Sequence, residues 1–202
     1  MKVVVSISLL LICAVSMMPQ SKNASAIRQI NRYVESVDKI TSRKKEPSIV
    51  VADVSDYNRR KLKWRVFRST KELEKFREST ETYSIAYNWQ RESKIVASVF
   101  TFFSPSGDWV RYVRHLFRSD GSVAKVVSEL RTFYGDFIVI REMYFDSRGK
   151  ALKRSTKYLD LTTRKPKKPI AELLDDNSVL SRNEYYKKVS ALPFYSLVKT
   201  KL

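Results

Sequence analysis

From residue 83 to residue 161 short polar breaks separate runs dense in Val, Ile, Phe, Tyr, Trp and Thr, the residue types that suit a pleated, half-buried surface. The runs cover 83–89, 95–103, 109–118, 122–133, 137–145 and 151–161. The breaks hold the chain's four glycines, Gly107, Gly121, Gly135 and Gly149, which follow one another at a constant interval. Glycine takes positive φ without steric cost, so a lone Gly recurring evenly between β-rich runs marks the tight turn of successive hairpins. The first two runs join through the polar turn Gln90-Arg91-Glu92-Ser93. This pattern predicts an antiparallel meander of six strands or more. Strands of about ten residues are long and must twist, so the sheet is expected to curl or close partly into a barrel. The prolines agree, because Pro105 falls in a turn while Pro47, Pro166, Pro169 and Pro193 lie outside the proposed sheet.

A short repeat runs through the same region. Phe117-Arg-Ser-Asp-Gly121 with its following Lys125 aligns with Phe145-Asp-Ser-Arg-Gly149 and Lys153 at twice the glycine interval, one hairpin plus its return.

Outside the meander the period changes. Ile27, Ile30, Val34, Val37 and Ile40 recur at spacings of three and four with polar residues between them, which predicts an amphipathic helix lying across the sheet. Further strands are expected at 49–54 and 61–67, and a short helix at 70–78 with Leu73 and Phe76 on one face. Residues 162–169 combine two prolines with four cations and read as an extended, solvated basic linker. The helical tail 170–202 follows, with Ser181 and Glu184 in the Ser-x-x-Glu capping pattern. The fold class is therefore α+β, one domain over residues 27–202 with its sheet core at 83–161.

The segment 1–26 stands apart. Lys2 opens an apolar run over 3–18 that is short for a membrane span, and Ala24-Ser25-Ala26 presents small residues where a signal peptidase reads. Cleavage near Ala26 and a periplasmic or secreted mature protein, without a transmembrane span, are the expectation. The lone Cys13 lies in this leader. Ile12 before it is bulky where acylation wants a small residue, so the thiol is read as discarded with the leader. A mature chain without Cys has no disulfide, no thiol nucleophile and no thiolate zinc site.

Charge sharpens the picture. Of 202 residues, 39 are Lys or Arg and 21 Asp or Glu, a formal net charge of +18. Removing the leader, which carries Lys2 and Lys22 and no acid, lowers the charge by two, to +16. Such an excess attracts polyanions, and for an exported protein these are an anionic envelope polymer or lipid headgroup rather than nucleic acid. The densest mixture of cations and aromatics is 109–118. It nominates Arg111, Arg114 and Arg118 as anion-binding residues, to which the repeat adds Lys125 and Lys153, with Trp109 and Tyr112 for stacking or packing.

Enzyme readings meet an inventory problem. His115 is the only His, which removes multi-His metal sites and leaves it the only imidazole base for a hydroxyl nucleophile. Glu129 and Glu142 sit on neighbouring strands around the Gly135 turn, where cross-strand ion pairs are the simpler reading than an acid–base pair. No phosphate-cradling glycine loop, dinucleotide fingerprint or calcium loop occurs, so no cofactor or metal is implied. Beside the anion-binding reading stand two others. One is a carrier holding a lipid or other apolar ligand in a cleft lined by Val99, Phe103, Val110, Tyr112, Leu116, Ala124, Val126, Leu130, Ile138 and Ile140, against which the simpler account packs these residues under the 27–40 helix. The other is a protein–protein module that adds a partner strand at a sheet edge.

Overall fold

Every glycine of the meander adopts positive φ, between 66° and 79°, and the strands turn back at each of them. A computed structural model describes residues 19–44, 46–55, 62–175 and 185–201. Helix α1 (Pro19–Arg43) is followed by β1 (Ile49–Asp53), β2 (Trp64–Phe67), α2 (Thr70–Arg77), β3 (Ser84–Arg91), β4 (Lys94–Phe103), β5 (Trp109–Phe117), β6 (Val123–Thr132), β7 (Phe137–Phe145) and β8 (Ala151–Asp160). Short helices α3 (Ala171–Leu174) and α4 (Tyr195–Val198) end the chain with two 3-10 turns. The eight strands form one sheet in the order β2-β1-β3-β4-β5-β6-β7-β8, all neighbours antiparallel. The sheet does not close into a barrel; it is open, with β2 and β8 as its edges. The capping pair Ser181 and Glu184, Lys61 at the start of the expected second strand, and the leader residues Lys2 and Cys13 lie outside the described residues.

Three hairpins share a device that explains the repeat. In β3–β4 the partners Trp89–Ala97 and Gln90–Ile95 leave Val96 unpaired. In β5–β6 the extra residue is Ala124, and in β7–β8 it is Leu152. These β-bulges recur at the interval of the sequence repeat. A bulge turns two successive side chains toward the same side of a sheet. Each extra side chain therefore leaves the strict alternation and meets α1: Val96 clusters with Val37, Ala124 with Ile30, and Leu152 with Ile27 and Ile30. The Tyr33 hydroxyl also donates to the Phe117 carbonyl. Helix α1 is already formed at Pro19, ahead of the expected start near Ile27.

The two sides of the sheet differ. Helices α1 and α2 contact one side, where Leu73 of α2 clusters with Val50, Ala52, Phe67 and Ile85. The other side carries the largest core, in which Phe100, Val113, Phe117, Val126 and Phe145 pack with Val189, Leu192, Phe194 and Val198 from the chain's end. The apolar set read as one cleft is divided between these sides. Val126 and Leu130 lie on the C-terminal side, and the other eight lie on the helix side. Counting by twos from Ala124 fails because Ala124 is itself a bulge residue. Of that set, Leu116 and Ala124 share clusters with α1.

Residues 162–169 fold back along the edge strand instead of standing free. The Lys167 amide donates to the Tyr158 carbonyl (3.0 Å) and the Asp160 amide to the Lys165 carbonyl (2.9 Å). The Lys167 ammonium donates to the carbonyls of Gly135 (2.8 Å) and Asp136 (3.2 Å) and to Asp160 Oδ2 (3.2 Å).

Candidate functional site

Strand β5 distributes its cations over both sides of the sheet, as alternation requires. Arg111 is 6% exposed on the C-terminal side, its guanidinium carbon 5.6 Å from the Trp109 ring centre. Trp109 itself packs with Leu130, Phe137, Val139 and Leu173. Tyr112 and Arg114 face the helix side. The Arg131 guanidinium lies over the Tyr112 ring at 5.5 Å, and Arg114 forms an ion pair with Asp38 of α1.

Arg118 follows β5 directly and acts as a clasp between two hairpins. Its Nη1 donates to the Val123 carbonyl and its Nη2 to the Phe145 carbonyl, both at 2.5 Å, with Ser122 Oγ and the Asp146 carbonyl at 3.4 Å. Burial lowers its pKa, and the nearby Asp120 and Asp146 carboxylates oppose that shift. A guanidinium committed to main-chain carbonyls stays charged and contributes field rather than free donors.

The register brings Lys125 and Lys153 to either side of Tyr144 in one row across β6, β7 and β8. Lys125 is tied to Glu142 at 3.0 Å and lies 4.7 Å from the Tyr144 ring centre. Burial works against its charge, but Tyr144 and Glu142 together hold its pKa above the ordinary lysine value. Lys153 is exposed. The five nominated cations thus do not converge. Arg111 is buried beside Trp109, Arg114 and Lys125 are neutralised, Arg118 is a clasp, and Lys153 faces solvent.

Helix α1 carries a group of cations that the sequence reading passed over. Arg28, Arg32, Lys39 and Arg43 recur at spacings of four, seven and four, opposite the stripe of Ile27, Ile30, Val34 and Val37 that meets the sheet. All four are exposed, and none has an ion pair among the described residues. Glu35 is the single acid on the same face. Beyond the contact of Leu152 with this helix lie the exposed Lys150, Lys153 and Lys157 of the last hairpin, whereas Arg154, paired with Met143, turns to the C-terminal side. The signal was present in the helical spacing of the cations.

The titratable groups weighed for catalysis are placed otherwise. His115 is 0% exposed, ringed by Phe100 and Phe117, and its Nε2 accepts from the Tyr186 amide at 3.0 Å. Burial pushes its pKa down to about 4, against the opposing pull of the Ser98 and Val113 backbone. A neutral imidazole sealed beneath the C-terminal segment holds that segment in place through the Tyr186 amide. Glu129 pairs with Arg131 (2.7 Å) and Glu142 with Lys125, so each carboxylate has its own cation. Among the described residues no group of three or more His, Cys, Asp or Glu is placed to hold a metal, and no helix is long and apolar enough to cross a membrane. Comparison with protein-family models, curated proteins and solved structures finds no match to this chain.

Proposed function

We propose that the chain is an exported, non-enzymatic binding protein that engages an anionic envelope component through the outer face of α1 and the adjoining basic edge of β8. The observation that carries this reading is the stripe of Arg28, Arg32, Lys39 and Arg43, four exposed cations with no acidic partner among the described residues. A cation free of intramolecular pairing presents its full field to a ligand, whereas Arg114 and Lys125 have theirs cancelled locally. In the same reading α1 is the permanent cover of one side of the sheet, and export removes the leader up to Ala26. The cluster-forming helix residues, Ile27, Ile30, Tyr33, Val34 and Val37, all lie beyond that point, so cleavage there leaves the cover and its basic face intact.

The apolar-ligand alternative has less support. The side of the sheet with the deepest apolar lining is filled by the chain's own Leu192, Phe194 and Val198. The strand-addition alternative meets an edge where Pro166 bridges Leu159 and where Lys153, Arg154 and Lys157 stand exposed, a composition that opposes edge pairing.

The test is binding of the purified protein to lipopolysaccharide or an acidic polymer across a salt series. Affinity is expected to fall steeply with added salt, and the Arg28→Gln/Arg32→Gln/Lys39→Gln/Arg43→Gln variant is expected to bind about tenfold more weakly or worse. Binding that ignores both salt and the variant defeats the electrostatic account.

A further inference from the structure

The turns of the β3–β4 and β5–β6 hairpins lie side by side, and the returning C-terminal segment crosses them. Between them is a cleft of about 270 Å³ whose lining includes Ser93 and Lys94 from the first turn, Arg118, Ser119 and Asp120 from the second, and Lys188, Ser190 and Tyr195 from the tail. Ile95 and Val189, both buried, contribute apolar lining.

We infer that this cleft is a binding site for a phosphomonoester dianion. Its polar lining is almost wholly donor in character. The Lys94 and Lys188 ammoniums make no ion pair among the described residues, and the hydroxyls of Ser93, Ser119 and Ser190 make no hydrogen bond among them either. The Arg118 guanidinium adds a third positive charge, fixed in place by the carbonyls of Val123 and Phe145. One acid lines the cleft, Asp120, and it is committed to its own turn: Oδ1 accepts from the Ser122 amide (2.8 Å) and the Ser122 hydroxyl (2.7 Å). Those bonds hold its carboxyl below the ordinary carboxylate range, so it stays ionised without being available as a partner for the lysines.

Three cations and one anion leave a net charge of +2, which matches a phosphate monoester near neutral pH. Rotatable ammoniums and hydroxyls from three separate segments suit a tetrahedral oxyanion, whose oxygens accept charge-assisted hydrogen bonds from several directions. A carboxylate has half the charge and fewer oxygens, and would leave part of this donor set unused. The cleft involves none of the four α1 cations, so the inference stands apart from the surface-binding proposal and has its own failure.

The test compares wild type, Lys94→Gln/Lys188→Gln and Arg28→Gln/Arg32→Gln by calorimetric titration at constant ionic strength. One arm uses inorganic phosphate and the other vesicles containing phosphatidic acid. Wild type is expected to bind, Lys94→Gln/Lys188→Gln to lose about tenfold or more for each ammonium removed, and the helix variant to keep its phosphate affinity. Binding of inorganic phosphate supports a site for the free anion, whereas lysine-dependent binding of the vesicles alone supports a lipid headgroup. Absence of phosphate binding together with vesicle binding that does not depend on Lys94 and Lys188, or phosphate binding by Lys94→Gln/Lys188→Gln as tight as by wild type, overturns the assignment. Both lysines are exposed, and an unchanged thermal midpoint in the variant verifies that loss of binding is not loss of fold.

Discussion

The two sides of the sheet obey different rules, and β6 shows both in one strand. Val126, Ser128, Leu130 and Thr132 point to the C-terminal side and are buried, while Lys125, Val127 and Glu129 alternate with them half-buried and Arg131 is exposed. The buried side is closed by residues 189–198, and its polar members, Asn88, Ser98 and His115, are buried completely, the imidazole among aromatic rings. The helix side is only partly covered and carries ion pairs. A side chain sealed under the tail is held by packing, whereas the outer face of α1 and the turn end keep their cations in solvent.

The largest test of this division is Phe194→Ala. Phe194 is fully buried, with its ring centre 5.3 Å from that of Trp64 and 5.7 Å from that of Phe100. Truncation is expected to cost about 3–5 kcal/mol in denaturant unfolding. Val34→Ala on α1, half-buried against Ala97 and Tyr144, is expected to cost about 1 kcal/mol. Equal costs would mean that the helix contact is as integral as the tail, and the comparison would fail.

Acid gives the next largest effect. His115 has a folded pKa near 4 against an ordinary value of 6.5. Its neutral form is the one the fold accepts, so its contribution is present in full above the unfolded pKa and is lost as pH falls from 6.5 toward 4. The loss is on the order of 3 kcal/mol at the acid end. Asp108, Asp120, Asp146 and Asp160 have depressed values, so their stabilisation is present above their ordinary 3.8 and starts to fade only below about pH 5. Unfolding free energy measured from pH 7 to about pH 5 should slope for wild type and be nearly flat for His115→Phe. The same slope in both would remove His115 from the account.

Much of this architecture was legible in the sequence because the glycines and the strand composition point the same way. Strands β3 to β8 fall within two residues of their expected ends, and the expected elements at 49–54, 61–67 and 70–78 appear as β1, β2 and α2. The third copy of the bulged hairpin was hidden because its turn uses Glu92 and Ser93, at φ 51° and 58°, where the other two use glycine. Bulges also defeat counting by twos, which is why one proposed apolar face became parts of two. The cleft beside Lys94 and Lys188 was not legible for a different reason. Its residues come from segments nearly a hundred positions apart, and exposed serines and lysines carry no pattern until the tail crosses the turns.

The smallest effect sharpens the comparison from the helix side. Arg114 and Asp38 join β5 to α1, but their side chains are 31% and 45% exposed. Water and salt screen such a pair, and ordering two flexible side chains offsets part of the attraction. A double-mutant cycle with Arg114→Ala and Asp38→Ala is expected to give a coupling of about 0.2–1 kcal/mol that shrinks with added salt. A salt-insensitive coupling of several kcal/mol would place this contact in a dry interior. The helix side would then be a second core rather than a partly solvated surface, and the cations outside it would lose their claim to be the protein's principal charged face.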